Sequence, residues 1–201
     1  MDKFQNTGLP DWDWWGKLWP TPGETLRKLG LEPGDSVAEV GCGNGYFALP
    51  AARIVEPATV YAVELDEEFL GELAALADHQ RIENVEPIRG DARDLAGLLP
   101  ESVDVALVAN AFHGVDDRAE FVREVSEALG PGGRFVVVNW RNRPREETEI
   151  AGGPRGPPTD LRMAPDETES AVLDVGAFTP KREVDLPPYH YALVFEREER
   201  A

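Results

Sequence analysis

Three glycines separated by single residues follow an apolar run in the stretch VAEVGCGNGYF, residues 37–47. Gly41, Gly43 and Gly45 let the backbone bend sharply and let a ligand lie directly against the main chain. Glu39 precedes the first glycine by two residues, where a carboxylate suits a cationic ligand better than a pyrophosphate. Glycines between a strand and a helix also serve packing alone, and the sequence leaves that alternative open.

The spacing of these glycines distinguishes between nucleotide ligands. The dinucleotide fingerprint is G-x-G-x-x-G, with its third glycine at helix–strand packing distance. Here the series is G-x-G-x-G, and position 46 is tyrosine. The pattern therefore favours S-adenosylmethionine (SAM), whose sulfonium and ammonium groups are compatible with a neighbouring acid, over a nicotinamide dinucleotide.

Two further acids follow the next two predicted strands. Glu64 ends VYAVE and is suited to accept from both ribose hydroxyls, a feature that NAD and SAM sites share. Asp91 follows VEPIRG and is suited to accept from an adenine amine, while the Ala92 N–H donates to a ring nitrogen. Helix capping is the alternative role for Asp91, and Asp94 is an equally good cap. Asp66 is predicted to cap the helix after Glu64. Together with the glycines, the order of these acids favours adenosine recognition.

A parallel sheet is needed to bring these residues together. Short apolar segments alternate with amphipathic helical segments between residues 36 and 140, which predicts parallel strands with helices on both faces. The predicted strands are SVAEV, ATVYAVE, VEPIRG, SVDVALVAN and GRFVVVNW. FTPKREVDL and HYALVFERE then predict a strand pair that adds an antiparallel strand to the sheet.

Residues 1–20 are predicted to form an irregular arm, and residues 21–201 the main domain. The arm contains DWDWWGKLWP and four of the five tryptophans. Three roles stay open for it: a lid over the cofactor, packing against the sheet edge, or a dimer contact. A helix is expected at TPGETLRKLG, with Thr21 and Glu24 as a capping box and Gly30 at its end.

Composition excludes several classes of partner. The net charge of −18 repels nucleic acid and anionic membranes, so neither is an expected partner. Only four of the 20 basic residues are lysine, a halophile-like acidic composition, although an ordinary acidic protein is the alternative. The single cysteine and the absence of a secretory leader pattern or of a long apolar run predict a cytoplasmic protein. No metal site is predicted.

Residues 31–140 resemble the class I SAM-dependent methyltransferases. VAEVGCGNG, VYAVELD, GDARDL and VDVALVANAFHGV are similar to the first four motifs of that family, and LGPGGRFVVVNW to the turn and strand that follow. The resemblance implies a Rossmann-like α/β fold: a seven-stranded, mostly parallel sheet with helices on both faces and an antiparallel last strand. The arm and tail resemble an archaeal and bacterial small-molecule subgroup. Glu39 and Glu64 stand where aspartate is commoner in the family.

The resemblance also implies a cofactor and a role for each matching residue. The methionine end of SAM is expected at the glycine turn, the ribose beside Glu64 and Leu65, and the adenine beside Asp91 and Ala92. Asn110 is expected to close the site through its backbone. The predicted cofactor residues are Glu39, Gly41, Gly43, Asn44, Gly45, Glu64, Leu65, Asp91, Ala92 and Asn110.

The sequence defines the methyl acceptor less well than the donor. NAFHGV follows the fourth strand and lacks the N/D-P-P-Y/F tetrad that methylases of DNA bases or glutamine tend to carry. His113 is a candidate general base. Tyr189 and His190, in PPYHY, are the other catalytic candidates. Packing is the alternative for all three.

Residues 141–165 contain five prolines and are predicted to form an active-site loop or cap at the carboxyl edge of the sheet. Arg145, Arg155 and Trp140 are predicted to contact the acceptor, with the arginines binding an acidic group on it. Ion pairing of the arginines with acids of the same loop is the alternative.

A SAM-dependent methyltransferase acting on a small molecule is the first functional interpretation. Three others stay open: a SAM-binding module without catalysis, a methyltransferase of protein or nucleic acid, and an NAD-linked oxidoreductase. The last shares the sheet and the ribose acid but lacks the dinucleotide glycine spacing. The sequence does not determine the oligomeric state.

Overall fold

The computed structural model of the chain describes residues 4, 5 and 8–198. Residues 1–3, 6 and 7 of the predicted arm and residues 199–201 of the predicted domain lie outside that description. The strands are β1 Val37–Val40, β2 Val60–Glu64, β3 Val85–Arg89, β4 Val103–Ala109, β5 Leu129–Trp140, β6 Glu149–Ile150, β7 Gly153–Pro154, β8 Phe178–Leu186 and β9 His190–Arg197. The helices are α1 Trp12–Leu18, α2 Pro22–Leu29, α3 Ala48–Val55, α4 Glu67–Gln80, α5 Leu95–Leu98, α6 Arg118–Ala128 and α7 Pro165–Leu173.

Seven of these strands form the main sheet, in the order β3-β2-β1-β4-β5-β9-β8. The first five in that order are parallel, and β9 runs antiparallel to both β5 and β8. The predicted Rossmann-like α/β fold, with its seven strands and antiparallel last strand, is confirmed. The reversal of order at β1 and β4 places a crevice at their carboxyl ends, where sheets of this type bind ligands.

The core lies on both faces of the sheet. Successive residues of β1 alternate between two apolar clusters: Val37 belongs to the cluster beneath α2, α3 and α4, and Ala38 to the cluster beneath α6. Because side chains alternate along a strand and both faces are covered, every position of β1 is buried. This burial explains why the central predicted strands are rich in apolar residues.

The arm differs from its prediction. It was expected to be irregular, but residues Trp12–Leu18 form a helix. Isolated helices this short are unstable in water, so packing of Trp14, Trp15 and Leu18 into the core must supply its stability. Helical propensity alone therefore did not reveal it.

The predicted end of α2 is confirmed, but the capping box predicted at its start is not. Gly30 ends the helix in the left-handed conformation, with φ at 91°. The capping box does not form, because the Thr21 hydroxyl donates to the Glu24 carboxylate at 3.0 Å and makes no bond to the backbone. No helix in the described part of the chain is long and apolar enough to cross a membrane.

Candidate functional site

A cavity of about 390 Å³ opens at the carboxyl ends of the parallel strands. Its volume lies in the range of small-molecule sites. Twelve of the predicted site residues line it: Glu39, Gly41, Gly43, Glu64, Leu65, Asp91, Ala92, Asn110, His113, Trp140, Arg145 and Arg155. Four do not: Asn44, Gly45, Tyr189 and His190. The functional roles of all sixteen stay predictions.

Two glycines of the turn line the cavity, and the third packs in the core. Gly41 and Gly43 line the cavity with φ at 70° and 54°, a backbone conformation that other residues adopt only under strain. A Cβ on Gly43 would lie 2.8 Å from Leu9 Cδ2 of the arm. A Cβ on Gly45 would instead lie 3.0 Å from Leu73 in the core. The packing alternative therefore describes Gly45, while Gly41 and Gly43 line the cavity and Leu9 of the arm covers Gly43.

Asn44 also faces the protein. Its Nδ2 donates to Glu72 Oε2 at 3.0 Å, which ties the turn to α4. The side chain is buried, and it supports the turn without lining the cavity.

Glu39 brings a buried carboxyl group to the cavity. It is 2% exposed, and its Oε2 has no hydrogen-bond partner among the described residues. Burial, assisted by the charge of Glu64, raises the pKa of Glu39 to about 8. A cation bound beside it would stabilise the ionised form, which otherwise lacks solvent and partners. The same burial and the two acids raise the pKa of the Cys42 thiol, so Cys42 is a neutral packing residue here.

Glu64 connects the tips of β1 and β2. Its Oε2 accepts from the Gly43 N–H at 3.1 Å, and its Oε1 accepts from the Leu65 and Asp66 N–H groups at 2.7 and 3.1 Å. A carboxylate offers about four acceptor positions, so these three bonds orient it and leave room for a ribose hydroxyl. Asp66 caps α4 as predicted, because its side chain accepts from the Glu68 N–H.

Asp91 fills the capping role and also lines the cavity, while its contact with an adenine stays a prediction. Its Oδ1 accepts from the Arg93 backbone N–H at 3.0 Å and from Arg93 Nε at 2.9 Å, so it caps the short 3-10 turn Ala92–Asp94. Partial burial opposes ionisation, but the Arg93 hydrogen bonds and charge outweigh it, and the pKa of Asp91 is lowered. Asp94 makes no capping bond to α5. The cap thus holds an ionised Asp91 at the cavity wall beside Ala92.

Asn110 ends β4 in the left-handed conformation, with φ at 60°. Its N–H donates to Val138 O at 2.8 Å, which anchors the strand tip. Both polar atoms of its side-chain amide are buried without a hydrogen-bond partner among the described residues. Strained backbone and unsatisfied polar atoms concentrate at functional sites. The sequence predicted only a backbone contact here, yet the side chain is equally available to a ligand.

The three catalytic candidates separate in the structure. His113 lies in the 3-10 turn after β4, is 3% exposed and lines the cavity. Tyr189 donates its hydroxyl to Glu149 O at 3.1 Å and stacks on Trp140. His190 is fully buried against Trp19 and Trp140, with ring centroids 4.6 and 4.2 Å away.

His190 and Tyr189 contact Trp140 and do not line the cavity, so their catalytic roles stay predictions that the cavity lining does not support. Burial, followed by the charges of Arg162 and Arg141, places the pKa of His190 well below its ordinary value. A neutral imidazole packed between Trp19 and Trp140 is consistent with a packing role.

The described part of the arm lines the cavity, a position that agrees with the lid and packing roles that the sequence left open for it. Phe4 packs edge-on against Phe121 at 5.7 Å, and the Gln5 N–H donates to Gly114 O at 3.0 Å, so this part of the arm lies beside the turn that follows β4. Leu9 then lies over the glycine turn, and Trp14 lines the far side. The arm is thus both packing and cover. Its tryptophan content was the only signal of this position.

The segment 141–165 supplies the opposite wall. Arg145 donates from Nε to Gly156 O at 3.0 Å, and the Arg155 guanidinium lies 5.5 Å from the ring centre of Trp14. The predicted alternative was ion pairing within the loop. Among described residues the ion pairs of this segment belong to Arg141 and go to β8, at 2.6 Å to Asp185. The two arginines that line the cavity have no carboxylate partner there.

The fold and the cavity define an α/β protein with a small-molecule cavity at its strand tips. Comparison with known proteins agrees: residues 38–137 match the family model described as Methyltransferase domain. The matched residues are those of a SAM-dependent methyltransferase domain of the class I type. A SAM-dependent methyltransferase structure from Aquifex aeolicus has a TM-score of 0.74 at 21% identity, covering 88% of this chain and 89% of that one. At that identity the likeness shows the fold.

Two curated relatives are named for different acceptors. A probable cobalt-precorrin-6B C(15)-methyltransferase (decarboxylating) of Methanosarcina mazei is 38% identical over 117 residues, which is 57% of this chain and 60% of that protein. A tRNA (guanine(6)-N2)-methyltransferase of Thermus thermophilus is 34% identical over 137 residues, which is 63% of this chain and 40% of that protein. The chain thus spans only part of the length of these relatives.

Proposed function

We propose that this chain binds SAM and transfers its methyl group to a small-molecule acceptor. One observation carries the proposal: a single cavity joins an acidic end to an aromatic, basic end. The acidic end comprises Glu39, Gly41, Gly43, Glu64 and Asp91. The arginine–tryptophan end comprises Trp14, Trp15, Trp140, Arg145 and Arg155.

The residues of the acidic end fit the cofactor. Gly41 and Gly43 keep the main chain bare, and the unpartnered Oε2 of Glu39 is placed for an ammonium group. Glu64 would hold the ribose, and Asp91 with the Ala92 N–H would hold the adenine. When bound, SAM supplies a methyl carbon activated by the neighbouring sulfonium.

The protein's own contribution is orientation and exclusion of water. Methyl transfer is an in-line displacement, so holding the two reactants in line accounts for much of the catalysis. His113 lines the cavity at the β4 tip, where it is placed to accept a proton from an acceptor that must lose one. The arm closes over the cavity mouth and shields the reacting atoms.

Enclosure and charge support a small acceptor. The arm and the segment 141–165 leave a cavity of about 390 Å³, and the chain carries a net charge of −18. Nucleic acid would meet repulsion at such a surface. Because the relatives are named for unlike acceptors, the cavity itself is the better guide. The single cysteine and acidic composition support a cytoplasmic setting for this reaction.

Calorimetry and a transfer assay test the proposal. SAM and S-adenosylhomocysteine (SAH) are each titrated into the protein, with NAD as the comparison ligand. We expect both adenosyl ligands to bind and NAD to give no heat. Protein with tritiated SAM is then incubated with a panel of small acids, amines and phenols, and transferred label is counted. Binding without transfer to any class would favour a SAM-binding module, and NAD binding alone would overturn the donor assignment.

A further inference from the structure

Two guanidinium groups line the cavity at its arginine–tryptophan end, and neither forms an ion pair with any residue that the structure describes. The Nε of Arg155 is buried and has no hydrogen-bond partner among the described residues, and Arg145 makes its side-chain bond to a backbone carbonyl. The chain has 38 acidic residues against 20 basic ones, so carboxylates are in ample supply. Because neither arginine is paired with a carboxylate of the described residues, both are available to an anionic ligand.

A third guanidinium supports the first two from behind. Arg162 is 4% exposed and donates to Pro157 O at 3.1 Å, to Thr148 Oγ1 at 2.9 Å and to Arg155 O at 2.9 Å. Its Nη1 is buried without a partner among the described residues. These bonds fix the loop that carries Arg155, and a buried positive charge favours an anion nearby.

The rest of this end is flat and apolar. Trp14 and Trp15 are each 8% exposed and Trp140 is 3% exposed, so the cavity meets the small open parts of three packed indoles. Trp14 and Trp140 lie with ring centroids 6.5 Å apart. Rigid aromatic walls bind flat apolar molecules well, at little cost in conformational entropy. A ligand that packs against the indoles and pairs with the two arginines has an apolar body and one acidic group.

The sheet order separates this end from the cofactor. The acidic end lies at the tips of β1, β2 and β3, whereas Arg145 and Arg155 follow β5, on the other side of β4. Neighbouring strands lie about 4.8 Å apart, so β5 lies roughly 10 Å from β1 along the sheet. An anion at the arginines therefore lies beyond the methyl group, on the acceptor side.

We infer that the acceptor is a carboxylic acid with a flat apolar body, anchored through its carboxylate on Arg145 and Arg155. The inference rests on the proposed function, because it names the acceptor class of the same cavity. A carboxylate bound by two guanidinium groups has its charge and lone pairs engaged. It is therefore the anchor, and the methyl group goes to another atom of the acceptor, nearer His113.

Matched ligands test the inference. 2-Naphthoate and 2-naphthamide have the same flat body and differ in charge, and each is titrated calorimetrically into protein saturated with SAH. We expect the acid to bind at least tenfold tighter than the amide. Arg145→Gln and Arg155→Gln should each reduce that preference to below threefold, and Arg155→Lys should restore part of it. SAH affinity should change less than twofold.

Arg143→Gln is the matched control, since Arg143 is exposed on the same segment and does not line the cavity. It should keep the full preference for the acid. Equal binding of acid and amide, or binding of neither, in protein that binds SAH would overturn this inference alone. Absence of SAH binding would overturn the proposed function. A tenfold loss of SAH affinity in Arg155→Gln would assign the arginines to the carboxylate of the cofactor and also overturn the inference.

Discussion

The two ends of the cavity are built by different means. The acidic end stands on the tips of buried parallel strands, and its side chains are fixed by backbone bonds such as those to Glu64. The arginine–tryptophan end stands on an N-terminal arm and on a loop that meets it through the contact of α1 with β6. Sheet topology constrains the first and leaves the second free to vary. Acceptor preference is thus able to change while the cofactor site stays the same.

The two ends also differ in charge. Glu64 and Asp91 make one end negative, binding of a cation beside Glu39 would add its charge, and Arg145 and Arg155 make the other end positive. A cationic ligand and an anionic ligand are therefore directed to opposite ends. The same arrangement penalises an acidic acceptor that enters the cofactor end, because like charges would meet there. Four changes test this contrast.

Gly43→Ala should have the largest effect and act at the acidic end. The new Cβ would lie 2.8 Å from Leu9 Cδ2, and φ at 54° is unfavourable for alanine. We expect SAH to bind about 100-fold more weakly, equivalent to roughly 2.7 kcal/mol. Gly132→Ala is the control, because φ there is also positive, at 70°, and nothing lies within 4 Å. Calorimetric Kd values for SAH that rise together in both variants would assign the effect to backbone strain.

Glu39 should make cofactor binding depend on pH. Its pKa of about 8 leaves it protonated at pH 6, so binding of an ammonium group must release a proton. We expect SAH affinity to fall by about tenfold or more between pH 8 and pH 6, since a full unit of pKa shift is worth 1.36 kcal/mol. Glu39→Gln should give a flat profile over that range. Heats measured in two buffers of different ionisation enthalpy would reveal the proton.

The stability of the ligand-free protein gives an independent check on Glu39. Its folded-state pKa lies above the ordinary carboxyl value, so its stabilising contribution is complete at low pH and is lost as the pH rises through about 8. Thermal unfolding of wild type should therefore lose more stability between pH 7 and pH 9 than Glu39→Gln does. Equal slopes would indicate that the carboxyl group ionises freely.

Asp91→Ala should have an intermediate effect. It removes both a helix cap and the proposed adenine acceptor, so SAH affinity should fall about tenfold, or roughly 1.4 kcal/mol. Asp117→Ala is a fair control, because Asp117 caps α6 by accepting from Glu120 N–H at 2.9 Å and lies outside the cavity lining. Both variants should lose about 1 kcal/mol of stability. Only Asp91→Ala should lose affinity for SAH. An equal loss of SAH affinity in Asp117→Ala would show that Asp91 acts only as a helix cap.

Leu9→Ala should have the smallest effect. Leu9 is 36% exposed and covers the glycine turn, so its truncation removes apolar contact worth under about 1 kcal/mol. We therefore expect SAH to dissociate about threefold faster. Trp12→Ala, at a residue that is 54% exposed and does not line the cavity, should leave the rate unchanged. Stopped-flow displacement measures both. Slower dissociation in Leu9→Ala would mean that Leu9 competes with the ligand.

Prediction from sequence succeeded where local pattern and topology coincide. The strand alternation and the motifs at Gly41, Glu64 and Asp91 predicted the sheet and the residues at its edge, and the structure brings these together. Parallel strands present their carboxyl ends at one edge, so a motif at each strand end has a determined place. The same reasoning could not tell which of Gly43 and Gly45 lines the cavity, because the packing of Gly45 against Leu73 depends on how α4 docks on the sheet.

His190 shows the limit of pattern. Its place at the start of β9 suggested a side chain near the site, but Trp19 and Trp140 enclose it in the core. The position of the arm decides which face of the sheet edge a ligand can reach, and no residue spacing in the sequence predicts that position.

The sequence by itself determined the fold class and the positions of the strand-end acids, because these follow from hydrophobic period and turn chemistry, and its motifs carried the resemblance to the family. Only the tertiary structure decided that the arm lines the cavity, and that within the described part of the chain Asn110 and Glu39 have unpartnered atoms and Arg145 and Arg155 have no counter-ion. Those features arise between residues far apart along the chain, and long-range packing, not local preference, sets them.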